Sequence, residues 1–519
     1  MAFNEILSTG IILLYLIISV GVGLVAWRIQ PSTSLEDYSL ANRSIHWFTG
    51  FFSMLASQIS ALAMLGFAAF YFLQGMAAYL AIVTSIVVSV AGAFRFIGPK
   101  VWKIGRQTGQ VTPSDTLREY FDSPTLGYVV AAGMILGLVP YLQLQFMGLG
   151  IVLDLGTGGL ISQQVGVIVI ATAIVIYTWL GGMKSVTWVD TMQGIMLFLG
   201  SFVAGLFLVL TLGGGFEPTF NNILEAQPAF LEPIAPEPPY NNWVTVLSFG
   251  LIAMLGLGLA PHMWIRLHYF EEGRSLERLP GVYSLVFWLT QVGVFSAVLA
   301  GVLLLPDAPP DQYIPLLYRE YFPTPVFALI MSAILAAVMS SASSMCHAIG
   351  IIGSRDITKQ IRPEWSEDSH LLAARVITLV AVVAAVILTF LGVDFILTSG
   401  AAAGALIVSI TVPQLISAVY TAEWPTREGA VLAAIAGGTV SLAGTVGFFN
   451  DPMGFYPGTF GFVVNVVVFV GVSLVTSGTP DESRISDWRN LLEQSYTDLD
   501  AEYRNQTPTE VTADASDDD

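Results

Sequence analysis

Four serines crowd into one apolar run, Ala336-Ala337-Val338-Met339-Ser340-Ser341-Ala342-Ser343-Ser344. On a helix, Ala337, Ser340, Ser341 and Ser344 share one face, and Ser343 lies beside Ser340. Hydroxyl oxygens are hard, neutral ligands. They can replace the hydration of a monovalent cation without holding it irreversibly. Small-residue faces also serve plain helix packing, which periodicity alone favours.

Three further polar features interrupt apolar runs, where polar groups are costly in lipid. In Leu55-Ala56-Ser57-Gln58-Ile59-Ser60-Ala61 an unwound turn would free carbonyl oxygens for a cation or solute. A continuous helix with hydroxyls bonded to its own carbonyls is the alternative. In Gly256-Leu257-Gly258-Leu259-Ala260-Pro261-His262, Pro261 removes a backbone donor and predicts a break or a simple kink. Asp190 opens a third run, Thr187-Trp188-Val189-Asp190-Thr191-Met192-Gln193-Gly194. It could bind a cation on its exit path, or cap or pair locally, and both readings stay open. Gln58, Ser60, Gln143, Gln145 and His262 are the candidate solute contacts by position. Gln143 and Gln145 lie on opposite sides of their helix, so one of the two at most faces a pocket.

The elements that must position these residues are membrane spans. Hydrophobic residues make up 54% of the 519 and charged residues 11%, whereas soluble domains carry about 25% charged residues. Uncharged blocks of spanning length recur along the chain. They predict an all-α integral membrane fold with thirteen spans: 6–27, 47–73, 76–96, 125–152, 159–180, 186–212, 242–265, 280–305, 323–354, 370–391, 393–420, 428–449 and 455–477. The first stretch reads as a span and not as a cleaved signal, since it lacks a basic leader and is too long. With the N-terminus outside, 19 of the 20 basic residues fall in cytoplasmic loops and Arg319 alone falls outside. Arg266 is assigned to the cytoplasmic loop after the seventh span, and a short surface helix is expected within 306–322. Residues 478–519 form an acidic cytoplasmic tail, expected to be partly disordered.

The net charge of −18 excludes a nucleic-acid-binding surface. An acidic chain with four lysines also suggests a halophilic prokaryote, because salt screens carboxylate repulsion. The acidic tail accounts for part of that excess. Cys346 is the single cysteine and reads as a buried thiol. The chain carries no zinc motif and no paired catalytic aspartates, and its serines lack a triad base, so no enzyme is expected.

At these residues the chain resembles the sodium/solute symporter family, which includes proline, pantothenate, monocarboxylate, sialic acid and sodium/glucose carriers. The resemblance runs through about Ser477 and rests on several motifs. They are Trp179-Leu180-Gly181-Gly182-Met183-Lys184-Ser185-Val186-Thr187-Trp188-Val189-Asp190, Ala333-Ile334-Leu335-Ala336-Ala337-Val338-Met339-Ser340-Ser341, Arg355-Asp356-Ile357, Val111-Thr112-Pro113-Ser114-Asp115, and Pro261-His262 with Arg266. It implies a leucine-transporter-like five-plus-five inverted repeat within a symporter domain, 1–477, with repeats at 47–212 and 242–420. It implies alternating access in a cell membrane and Na+ as coupling ion, with no organic cofactor.

Carried over by position, the backbone oxygens of Ala56, Ile59 and Ala337 and the hydroxyls of Ser340 and Ser341 would hold one Na+. Asp190, Ser340, Ser343 and Ser344 would hold a second. Gln58 stands where proline carriers have an aspartate, and Ile59-Ser60-Ala61 with Leu65-Gly66 is closer to the monocarboxylate and vitamin branch. Glucose-type sugar contacts have no counterparts. The expected cargo is therefore a small organic solute, monocarboxylate or amino-acid-like. A membrane sensor on the same fold is the alternative, with a passive channel behind it. Neither the solute nor the oligomeric state is fixed by the sequence.

Overall fold

The computed structural model describes residues 4–499 apart from 30, 33, 235–241, 257, 393–395, 450–454, 456 and 479. Leu257 and the tail beyond 499 therefore lie outside the described residues, as does the disorder expected for the tail's end. Among the described residues no strand is present, and one isolated parallel bridge joins Ile45 to Phe270. Ten helices among the described residues are long and apolar enough to cross a membrane, and a shorter apolar helix covers Trp243–Ile252.

The principal helices are α1 (Glu5–Ile29), α2 (Trp47–Gln58), α3 (Phe67–Gly92), α4 (Pro124–Thr157), α5 (Gln163–Thr211), α6 (Trp243–Gly256) and α7 (Pro261–Leu267). They continue as α8 (Ser275–Gly301), α9 (Thr324–Ile351), α10 (Glu367–Leu391), α11 (Ile396–Val419), α12 (Arg427–Thr445), α13 (Pro457–Val475) and α14 (Glu482–Glu493). The helix expected within 306–322 is Tyr313–Tyr321, and it packs inward through Tyr313, Ile314, Leu317 and Tyr318.

Two helices run longer than the sequence reading and carry internal breaks. At Gly75 within α3 the backbone turns to φ 62°, ψ −144°, and at Gly182 within α5 to φ 53°, ψ −145°. Only glycine takes such angles readily. A Cβ at Gly182 would also stand 2.6 Å from the Tyr38 carbonyl oxygen. The boundary expected between 180 and 186 is therefore a sharp glycine break inside one hydrogen-bonded run.

Helix α9 lies at the centre. Its apolar window is 89% buried, against 33% for α1 and α10, which face outward. It packs on α4 and α5, with α1, α2 and α10 around it. Large apolar side chains such as Ile17, Leu199, Val380 and Val467 cover the outer surface.

Arg118, Arg355 and Lys103 gather at one end of the bundle, linked through the helix Pro113–Tyr120 and α14. Arg355 and Arg118 both bond the Asp115 carboxylate, and Asp356 accepts from the hydroxyls of Thr112 and Ser114. Two sequence motifs thus meet as one buried cluster between the helix Pro113–Tyr120 and the end of α9. Burial would raise the Asp115 carboxyl, but Arg355 and Arg118 outweigh it and hold it below the ordinary aspartate range. Lys103 Nζ donates to the carbonyls of Leu492 and Gln494 at 2.8 and 2.7 Å, docking α14 on the same end. The start of the tail is thereby ordered.

Helices α5 and α8 cross at two glycines. A Cβ on Gly293 would stand 2.4 Å from the Ser201 carbonyl oxygen and 2.5 Å from Phe202 Cα. Backbone cannot yield there, so Gly293→Ala should lower stability by about 1–3 kcal/mol, read as a lower melting temperature of the purified protein. Gly21→Ala, where a Cβ meets nothing within 4 Å, should not.

Candidate functional site

The break in the second span lies between α2 and the helical run from Ala61 into α3. Helix α2 ends at Gln58, and Ile59 is extended at φ −87°, ψ 93°. Regular helix would bond the Ala56 and Ser57 carbonyls to the amides of Ser60 and Ala61. Here the serines of α9 satisfy those carbonyls. Ser340 Oγ donates to Ala56 O at 2.8 Å, and Ser341 Oγ to Ser57 O at 2.9 Å. Both hydroxyls also reach Ala337 O, at 2.9 and 3.3 Å. The amide of Ala61 donates to Gln145 Oε1 at 2.9 Å. The side chains of Ser340, Ser341 and Gln145 are fully buried.

A neutral, all-oxygen cluster of three carbonyls and two hydroxyls therefore joins the broken span to α9. Unwound carbonyls of this kind suit a hard monovalent cation. Four of the five residues expected at the first ion position (Ala56, Ala337, Ser340 and Ser341) meet directly. Ile59 supplies the extended turn beside them.

The second break separates α6 from α7. Leu259 N donates to Gly256 O at 3.3 Å in a turn, and Ala260 is extended before Pro261 opens α7. His262 stands edge-on to Tyr141 of α4 at 6.2 Å between ring centroids. A small cavity of about 40 Å³ lies between the two breaks. Leu62 and Phe67 line it from beyond the first break and Gly256 and Ala260 from the second, with Tyr141 and Gly404 of α11. Its walls are apolar apart from the tyrosine.

Gln58 Oε1, Gln143 Nε2 and His262 Nδ1 are buried without a hydrogen-bond partner among the described residues. Gln145, by contrast, is engaged by the Ala61 amide. Ser60 belongs to the break itself, its carbonyl accepting from Met64 N at 2.9 Å.

Asp190 is fully buried on α5, facing α2, α7 and α9 together. Its Oδ2 accepts from Ser53 Oγ at 3.0 Å, Ser57 Oγ at 3.3 Å and Arg266 Nη2 at 2.9 Å, and its Oδ1 from Ser343 Oγ at 3.5 Å. Arg266 Nη2 also donates to Ser344 Oγ at 2.6 Å, and Nη1 to His262 O at 2.9 Å. The Asp190, Ser343 and Ser344 grouping expected from the sequence is therefore present, with a guanidinium inside it. Arg266 is a correction to the sequence reading. It is not in a loop but on α7, 1% exposed. Charge counting placed it by its distance from a span end, and tertiary pairing with Asp190 decides its burial. Ser53 and Ser57 were also missed, although their i, i+4 spacing puts both on one face of α2.

The model of the sodium:solute symporter family matches residues 38–437. The chain belongs to that family. It is a sodium-coupled solute symporter, with Na+ as the coupling ion, and a multi-pass membrane protein. The sensor alternative has no support among the relatives. A sodium/pantothenate symporter of Haemophilus influenzae is 24% identical over 383 residues, 72% of this chain and 78% of the relative. A sodium/proline symporter of Staphylococcus aureus is 24% identical over 493 residues, 90% and 92% of the two chains.

Among solved structures, a Na+-coupled sialic acid symporter in a substrate-bound outward-open state superposes with a TM-score of 0.77. Identity is 16%, covering 91% of this chain and 98% of the other. A nucleobase-cation-symport-1 family transporter in a closed conformation gives 0.55 at 11% identity, covering 89% and 97%. The fold is the leucine-transporter-like inverted repeat expected from the sequence.

Removing one partner of a buried ion pair costs about 3–5 kcal/mol, because the other charge is left uncompensated. Asp190→Asn should therefore lower thermal stability strongly. The double variant Asp190→Asn with Arg266→Gln should recover much of the loss. A loss that adds across the two sites would contradict the pairing.

Proposed function

We propose that the chain imports a small monocarboxylate with an apolar body, carrying it in the cavity between the two broken spans. The observation that carries this reading is the cavity's lining. It offers hydrocarbon and one phenol, and no acidic side chain to receive an ammonium group. A sugar would leave several hydroxyls unpaired, each at about 1–3 kcal/mol. The carboxylate would turn to the breaks, where Gln58 and His262 hold unpartnered polar atoms, while Gln143, about 200° around α4 from Tyr141, would face away from the cavity. Gln145, engaged by the Ala61 amide, falls out of the solute set.

Na+ would bind at the Ala56, Ala337, Ser340 and Ser341 oxygens, with Ile59 beside them. Binding there pins the second span against α9 and shapes the cavity wall at Leu62. Solute and ion then raise each other's affinity by the same factor, which is the coupling. Alternating access would move the two repeats, 47–212 and 242–420, around that fixed site.

We further infer thirteen spans, counting the glycine breaks at Gly75 and Gly182 and the two-piece seventh span. The basic end carrying Arg118, Arg355 and Lys103 would face the cytoplasm, leaving the N-terminus outside in a cell membrane. The acidic, lysine-poor composition supports a halophilic source.

Uptake into proteoliposomes tests the reading. An inward Na+ gradient should drive accumulation of isovalerate over leucine and over isovaleramide, which separates a carboxylate from a zwitterion and a neutral isostere. Ser341→Ala should raise the Na+ concentration for half-maximal uptake at least tenfold. Preference for leucine would move the solute to the amino-acid class.

A further inference from the structure

We propose that Arg266 is a built-in counter-ion occupying the cation position at Asp190, so that the chain binds a single Na+. This rests on the sodium-symport reading and goes beyond it, because the sequence motif at Asp190 implies a second ion.

The oxygens that would hold that ion are already engaged. Asp190 Oδ2 takes three donors, one of them the Arg266 guanidinium at 2.9 Å. Ser344 Oγ donates to Ser340 O at 2.6 Å, accepts from Arg266 Nη2 at 2.6 Å and lies 2.8 Å from Ser57 Oγ. Ser343 Oγ donates to Ser340 O at 3.0 Å. A guanidinium in this cage neutralises the carboxylate, and a sodium ion beside it would meet a like charge in a buried, low-dielectric setting. The residues therefore fit a cation, and the cation they fit is the chain's own.

The tether gives this cation a mechanical role. Arg266 belongs to α7, the half-helix after the second break, and its Nη1 is anchored on His262 O. The positive charge moves with that half-helix and with nothing else. A diffusible second ion would follow its own gradient. A tethered one adds no sodium to the transport stoichiometry, and it ties the second repeat's broken span to α2, α5 and α9 in the state seen here.

Equilibrium binding of radioactive sodium to the purified full chain, with choline as the balancing cation, reads the number of ions directly. Wild type should bind one Na+ per chain, and Ser343→Ala should leave that number unchanged. Arg266→Gln should bind two. Arg266→Lys, which keeps the tethered charge, should stay at one, as should Arg266→Gln combined with Asp190→Asn. Two ions on wild type, falling to one in Ser343→Ala, would overturn the proposal while leaving sodium symport intact. One ion on a folded Arg266→Gln would also overturn it. No ion on wild type would sink the symport reading itself. The wild-type and Ser343→Ala counts decide the matter even where the arginine variants do not fold.

Discussion

A backbone carbonyl inside a membrane protein must find a donor, because lipid supplies none. The break after Gln58 leaves the carbonyls of Ala56 and Ser57 and the amide of Ala61 without helical partners. Ser340 and Ser341 of α9 take the carbonyls, and Gln145 of α4 takes the amide. The rest of the site depends on this exchange. It forces α9 into the centre and fixes where the cavity wall turns at Leu62. It also gathers oxygens of one chemical kind at one point. A set that satisfies the backbone with hydroxyl protons is a set that a cation can satisfy instead.

The charged layer beside it answers a different constraint. A buried carboxylate persists only if paired, and Asp190 is paired by a residue 76 positions away on α7. The same logic recurs at the basic end, where Asp115 and Asp356 join the third-to-fourth-span connection to the end of α9. Motifs that look separate along the chain are thus two halves of single buried clusters.

Much of this was legible in sequence. Span positions follow from apolar blocks, and both breaks follow from polar or proline interruptions. The serine face follows from helical spacing. What sequence could not supply were partners across the fold. Arg266 looked like an interfacial charge because it falls just past the end of the seventh apolar block, and only its contact with Asp190 of α5 reveals its pairing. Gln145 was a solute candidate by position, and its bond to the Ala61 amide appears only once the broken span and α4 are side by side. The lengths of α3 and α5 also escaped, since a glycine break need not interrupt the hydrogen-bonded run.

The central claim is that sodium acts by joining the broken second span to α9. Hydrogen–deuterium exchange of the purified chain in sodium against potassium tests it most directly. The account predicts that protection rises together in the segments 55–62 and 336–345 when sodium is added, and that Ser340→Ala with Ser341→Ala abolishes the rise in both. Protection that is unchanged by sodium in these two segments, or that survives the double substitution, would contradict it.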